Sequence, residues 1–212
     1  MTPAGKLGLG LLLTAAAGFL DAVGFVELNG LYTSFMSGNT TQLGIHLGEG
    51  LLSALPLPAA LLSFFFFGSF AGSVIALSNA RFGGAFVLLT VCALLVLAFA
   101  MRIAGISPEA ALLPLAIATG AQNAAIAPAG AARLGATYVT GTLFSAGQDL
   151  ARAMFRCAPP WRFTQHLAVW ISLLLGALCG GELHLLWSYW SLLVPLAIYL
   201  ICLLITLRRA PA

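Results

Sequence analysis

Gly18-Phe-Leu-Asp21, followed by Ser34-Phe-Met-Ser-Gly38-Asn-Thr-Thr-Gln-Leu-Gly44, returns later in the chain as Gly120-Ala-Gln-Asn123 and Thr137-Tyr-Val-Thr-Gly141-Thr-Leu-Phe-Ser-Ala-Gly147. Asp21 aligns with Asn123, Ser37-Gly38 with Thr140-Gly141, and Gly44 with Gly147. A third pair follows, Phe67-Gly68-Ser-Phe-Ala-Gly72 against Leu175-Gly176-Ala-Leu-Cys-Gly180. The order is kept, and the offset drifts only from 102 to 108 residues. Polar, glycine-broken segments at matching places in two apolar halves point to a membrane protein with a polar site between its repeats.

Working outward, 61% of residues are hydrophobic, 7% are charged, and the mean hydropathy is +1.03. Soluble domains carry about 25% charged residues. A fold of 212 residues has too little interior to hide this much apolar side chain, so the class is a polytopic membrane protein. The net charge of +3 is spread over mostly single residues and makes no nucleic-acid surface. Cys92, Cys157, Cys179 and Cys202 show neither a Cys-x-x-Cys nor a disulfide framework and read as packing residues. The apolar run after Lys6 continues through Phe25 and contains Asp21 of the repeat, so it reads as a retained span rather than a signal peptide.

Six apolar segments stand out: Leu7–Val26, Leu57–Leu77, Ala85–Ile103, Glu109–Pro128, Gln165–Gly181 and Leu185–Leu207. Two shorter, more polar segments, Leu31–Leu47 and Ala136–Met154, occupy equivalent places between them. If both polar segments span, the halves are parallel; if both dip in and return, each half has three spans and the second is inverted. Lys and Arg favour the cytoplasmic side. The re-entrant arrangement puts Lys6, Arg81, Arg133, Arg152, Arg156, Arg162, Arg208 and Arg209 inside and only Arg102 outside. The eight-span alternative leaves both Arg81 and Arg133 outside. The expected fold is therefore a single all-α membrane domain over 1–212. It has six transmembrane helices plus two re-entrant or broken helices, arranged as inverted-topology repeats over 1–104 and 105–212. Both termini are cytoplasmic.

The candidate site follows from the repeat. Asp21 is the one acidic residue inside a long apolar span. Such a group costs about 2.5–3.5 kcal/mol to insert and is a functional candidate by default. Its counterpart Asn123 cannot titrate, which leaves one protonatable position in a pseudo-symmetric site. Ser37, Gly38, Asn39, Thr40 and Thr41 read as the capped start of a half-helix whose free amides could face an anion. Thr140, Gly141 and Thr142 repeat that chemistry, and Gln122-Asn123 adds amides to the fourth segment. The bland reading of the same residues is packing, with hydroxyls bonded back to their own helix carbonyls and amides joining helices. Gly68-x-x-x-Gly72 and Gly176-x-x-x-Gly180 read as close helix contacts, within the chain or between subunits. Asp149 and Arg152 are spaced to pair on one helix face. Trp161, Trp170, Trp187, Tyr189 and Trp190 read as an aromatic belt. The scattered His46, His166 and His184 suggest no metal site, and no cofactor or enzyme motif is present.

The ordered set Phe19-Leu-Asp21-Ala-Val-Gly24-Phe, Ser37-Gly38-Asn39-Thr40, Gly120-x-Gln122-Asn123 and Thr140-Gly141-Thr142-Leu143 resembles the YoaK-like family of small bacterial multi-pass membrane proteins. The resemblance covers nearly the whole chain. It implies a bacterial inner-membrane location and about six spans, and it supplies neither substrate nor site residues.

The expected function is a small secondary transporter or channel-like protein moving a polar solute or ion (an anion among the options), proton-coupled through Asp21. The competing expectation is a non-transporting scaffold or assembly subunit. Expected partners are the lipid bilayer, the solute and a second copy of the chain, with no nucleic acid.

Overall fold

The computed structural model describes residues 3–79, 81–126 and 139–208. Arg133, Thr137 and Arg209, used in the sequence argument, lie outside the described residues. So do the ends of two expected segments, at 127–128 and 136–138. Among the described residues the chain is all-helical with no strand. The elements are α1 (Pro3–Glu27), α2 (Met36–Gly48), α3 (Pro56–Ser78), α4 (Gly83–Ile103), α5 (Pro108–Ala111), α6 (Leu113–Gln122), α7 (Val139–Met154), α8 (Arg162–Trp187) and α9 (Leu193–Arg208). Short 3-10 turns precede α3 and α9.

Among the described residues, four helical stretches are long and apolar enough to cross a membrane: Gly5–Glu27, Leu52–Ser78, Gly83–Ile103 and Arg162–Arg208. The last is 47 residues long, about twice what one crossing needs. It folds back through Ser188–Leu192, where Ser188 takes a positive φ of 51°. The expected break between Gly181 and Leu185 therefore falls several residues too early. Gly180 is inside α8, packed on Phe19, and the helix runs on to Trp187.

The expected span over 109–128 is not one helix. It is divided at Leu112 into α5 and α6, and α6 stops at Gln122. Pro114 lacks an amide to continue a helix from α5 and instead sits in the first turn of α6, where none is needed.

Side-chain contacts fix the helix directions. Glu27 at the end of α1 meets Arg102 at the end of α4 (3.5 Å) and His184 near the end of α8 (3.0 Å), so these three helices run the same way. α3 runs opposite, joined to α4 by the short turn after Ser78, where Gly83 packs on Ala76. α6 lies beside α3 and parallel to it, with Gly68 on Ile117 and Gly72 on Ala121. α9 is antiparallel to α4. Phe99 near the end of α4 meets Trp190 just before α9 (5.1 Å between ring centres), and Gly84 at the start of α4 lies beside Thr206 near the end of α9.

The two closest helix pairs repeat one another. Gly18 packs against Leu173 and Ala177, and Gly120 against Phe65 and Ser69. Gly176 packs on Ala15 as Gly68 does on Ile117, and Gly180 on Phe19 as Gly72 does on Ala121. Each α1 position maps onto α6 by adding 102, and each α3 position onto α8 by adding 108. At these glycines a Cβ would run into the backbone of the partner helix, so the small residue permits the close approach. The glycine faces that the sequence left open between chain and subunit contacts are thus used within the chain.

α1 is the central helix, with Leu13, Ala16, Phe19, Leu20 and Val23 in the core. α3 is peripheral and presents Phe66, Phe67, Phe70 and Leu77 outward. In water such a surface would be a liability; against lipid it is the expected one.

Candidate functional site

After Glu27 the chain does not leave α1. Asn29 (φ 53°) and Gly30 (φ 96°) turn it back through left-handed conformations that Asn and Gly tolerate. The returning segment packs on α1 at Gly24, where Thr33 fills the space a Cβ would take. Thr33 and Ser34 then reach Asp21, six residues and about 9 Å of helix rise below the end of α1.

Asp21 holds this segment. Its Oδ1 accepts from the Ser34 amide (2.6 Å) and the Thr33 hydroxyl (3.2 Å), and its Oδ2 accepts from the Ser34 hydroxyl (2.6 Å). From α6, the Thr119 hydroxyl donates to the Thr33 carbonyl (2.6 Å), fixing the same residues from the other half. Asn39 closes the loop from beyond. Its Oδ1 accepts from the Tyr32 amide (2.9 Å) and its Nδ2 donates to the Tyr32 carbonyl (2.7 Å).

Two cavities flank this loop. The larger, of about 560 Å³, lies between α1, α7 and α8. Gly18, Asp21, Ala22, Phe25 and Val26 face it from α1, at spacings that share one helix face. Leu173, Ala177 and Gly181 do the same from α8. Its polar groups among the described lining residues are Asp21, Ser34 and Thr140, with the Tyr32 ring at the edge and Trp170 opposite. The smaller, of about 350 Å³, is lined by Ser37, Gly38, Thr41 and Gln42. Phe25, Tyr32 and Phe35 wall both cavities. Their rings form one cluster, with Tyr32 5.3 Å from Phe25 and 5.1 Å edge-on to Phe35.

The predicted site residues divide accordingly. Asp21 and Thr140, from opposite halves, meet in the larger cavity; Ser37, Gly38 and Thr41 line the smaller one. The remaining candidates line neither. Asn39 is buried and occupied with Tyr32. Thr40 donates to the carbonyl of Met36 (2.8 Å), four residues back, as cavity-lining Thr41 does to that of Ser37 (3.0 Å). The Gly141 carbonyl accepts from Ser145 (2.9 Å), and Thr142 stands one residue further along α7. Gln122 is buried and accepts from the Tyr199 hydroxyl at 2.6 Å, while its Nε2 has no partner among the described residues. Asn123 donates to the Thr119 carbonyl at 3.1 Å.

Two expectations need correction. α2 begins at Met36 after Phe35, and no side chain caps it, so Ser37, Asn39, Thr40 and Thr41 are helical residues rather than caps. The Thr hydroxyls bond within the helix because that acceptor is always in reach. Trp170, assigned to an interfacial belt, instead forms cavity wall. The sequence reading also gave no site role to Ser34, Tyr32 or Thr119. Ser34 lies inside the first polar segment of the repeat, but nothing in its spacing from Asp21 announces that the chain doubles back to it.

Away from the cavities, polar clusters mark the two ends of the bundle. Glu27, Arg102 and His184 form one, with Ser191 3.4 Å from His184. Asp149 anchors the other, pairing with Arg152 (3.3 Å) as expected, and also with Arg162 (3.1 Å) and His166 (3.4 Å). No group of three or more potential metal ligands occurs among the described residues.

The fold, its apolar outer faces and the cavity beside Asp21 define a helical membrane protein with a carboxylate set in its central helix. The chain belongs to the DUF1275 family, described as a protein of unknown function, which matches residues 9–205. It is similar to the UPF0700 transmembrane protein RA0705 of Rhizobium meliloti (strain 1021), at 36% identity over 183 residues, covering 84% of this chain and 77% of the relative. These matches agree with the resemblance drawn from the repeated motifs. No solved structure matches.

Proposed function

We propose that the protein is a small secondary transporter or channel-like protein of the bacterial inner membrane, built of two inverted halves, 1–104 and 105–212, with six crossings. The observation that carries this reading is the contact correspondence at offsets of 102 and 108, combined with the opposite directions of α1 and α6. A twofold axis in the membrane plane relates such elements, and transport sites lie where the halves meet. The meeting of Asp21 with Thr140 in one cavity supports that placement. The return of the chain from Glu27 to Asp21 before α2 supports a re-entrant first polar segment.

In this reading both termini and the Asp149 cluster are cytoplasmic, while the Glu27–Arg102–His184 cluster faces the periplasm. Positive charge supports the assignment, since Arg81, Arg152, Arg156 and Arg162 then lie inside and Arg102 outside. Asp21 is the proton-sensitive group, and the Phe25–Tyr32–Phe35 cluster separates its cavity from the outer one. An anionic solute has little support, because the described wall carries a carboxylate and no Lys, Arg or His. A second copy of the chain would pair through surfaces other than these packed glycine faces. The chemistry is transfer across the bilayer, not catalysis.

The scaffold reading keeps one specific support. Asn39, Thr40 and Thr41 direct their side chains to bonds within their own segment. Cysteine labelling separates the two. Ala22→Cys and Thr140→Cys should react with a small water-soluble maleimide from one side of the membrane. If neither reacts from either side while exposed Cys157 does, the transport reading fails and the scaffold stands.

A further inference from the structure

We infer that the cavity beside Asp21 takes an organic cation, an amine or quaternary ammonium group on an apolar or aromatic body. The inference deepens the transport reading and rests on it for its biological use.

Charge is the first argument. Asp21 is the one carboxylate in the described wall, which carries no Lys, Arg or His. The basic side chains in ion pairs are engaged elsewhere: Arg102 and His184 with Glu27, and Arg152, Arg162 and His166 with Asp149. An anion entering here meets a carboxylate and, among the described residues of the wall, no cation to offset it. A cation meets its complement in a low-dielectric site, where that attraction is strongest.

The hydrogen-bond inventory agrees. A carboxylate has about four acceptor positions. Oδ1 uses two, on the Ser34 amide and Thr33 hydroxyl, and Oδ2 uses one, on the Ser34 hydroxyl. The Phe35 amide is a further donor to this carboxylate, so the loop takes up its hydrogen-bonding positions while Asp21 still faces the cavity. What Asp21 offers a ligand is therefore negative charge rather than a vacant acceptor, which suits an alkylated ammonium group with no N–H to donate. The donors an anion would need are scarce, because the Ser34 hydroxyl is already given to Asp21.

The rest of the wall selects the body of the ligand. Phe25, Tyr32, Phe35 and Trp170 supply aromatic rings around the carboxylate, the surroundings that bind alkylated ammonium groups through their negative faces. An inorganic cation would need several oxygen ligands to replace its water. This wall offers few oxygens and much hydrocarbon. The volume of about 560 Å³ suits a small organic molecule.

The test uses the full-length protein in phosphatidylcholine nanodiscs, with binding measured by equilibrium dialysis. Benzyltrimethylammonium is the probe, compared with its neutral carbon isostere neopentylbenzene and with the anion toluenesulfonate. Saturable binding of the cation is expected, with toluenesulfonate not binding. Asp21→Asn should weaken cation binding by at least about ten-fold, equivalent to about 1.4 kcal/mol. Trp170→Leu, which leaves the Asp21 bonds untouched, should weaken it several-fold and serves if Asp21→Asn does not fold. Equal binding of the neutral or anionic analogue, or cation binding unchanged in both variants, would overturn the inference. Labelled Ala22→Cys without saturable cation binding overturns the cation assignment and leaves the transport reading standing. Ala22→Cys and Thr140→Cys both unlabelled, without cation binding, overturns both.

Discussion

Ser34 donates to Asp21 twice, its amide to Oδ1 and its hydroxyl to Oδ2, each at 2.6 Å. One residue of the returning loop thus satisfies both oxygens of an acid placed within the first span. The arrangement offsets much of the cost of the buried carboxylate and makes loop position depend on it. Loop, acid and cavity wall are a single unit, and disturbing any one should be felt in the others.

That unit can be taken apart by substitution. Ser34→Ala removes one bond to a charged group and keeps the amide bond, a loss of about 1.5–3 kcal/mol. Asp21→Ala should cost more, because it strands the Ser34 amide and the Thr33 hydroxyl together. Asp21→Asn should fall between wild type and Asp21→Ala, since an amide oxygen can still accept at Oδ1. Thermal unfolding in nanodiscs should rank the variants in that order. Ser34→Ala melting like wild type would mean that the second bond contributes nothing.

The repeated glycine contacts make a paired prediction. Gly18→Ala and Gly120→Ala each place a methyl group against the backbone of α8 and α3 respectively. Their contacts are equivalent, so the losses should be similar, at about 1–3 kcal/mol each for overpacking. Gly147 and Gly8 have open space where a Cβ would go. Gly147→Ala and Gly8→Ala should therefore melt within a degree or two of wild type. A large loss at Gly18 with none at Gly120 would break the equivalence between the helix pairs.

The packing of these helices was legible because duplication printed it twice. Gly68, Gly72, Gly176 and Gly180 are sequence signals for close approach, and the structure uses all four. Asp21 was legible for a different reason, since a lone acid among apolar residues must be accommodated. The half-helix caps were misread. Ser, Asn and Thr next to glycine suit a cap, but the same side chains satisfy themselves inside a helix, and local sequence does not distinguish the two. Leu112 before Leu113-Pro114 broke a span that hydropathy alone made continuous. The partners of Asp21 and Gln122 were invisible for a third reason. Tyr199 lies 77 residues from Gln122, and no periodicity connects them.

That long-range pair gives a double-mutant cycle. Tyr199 and Gln122 are both buried, and the Gln122 Nε2 already lacks a partner among the described residues. Tyr199→Phe leaves the Gln122 Oε1 unpaired as well, which should cost about 1–3 kcal/mol. Gln122→Leu alone leaves the Tyr199 hydroxyl without its acceptor and should cost a similar amount. The double variant removes both polar groups and should lose much less than the two single variants together. Additive losses would show that the 2.6 Å contact carries no coupling energy.

The opposed polar clusters lead to a test of topology. Ala104 is exposed just beyond the end of α4, beside the Glu27–Arg102–His184 cluster, and native Cys157 is exposed just beyond α7, close to the Asp149 cluster. Helices α4 and α8 run the same way, and Cys157 precedes the start of α8 while Ala104 follows the end of α4. The two positions therefore belong on opposite sides of the bilayer. Two proteins suffice, one with Cys157 as the only cysteine and one with Ala104→Cys as the only cysteine. In spheroplasts, a membrane-impermeant maleimide should label Ala104→Cys and spare Cys157, and permeabilised cells should label both. Labelling of both in intact spheroplasts would put the two ends on one side and remove the three-crossing half. Labelling of Cys157 alone would keep the crossings and invert the orientation, placing the Asp149 cluster and the termini outside.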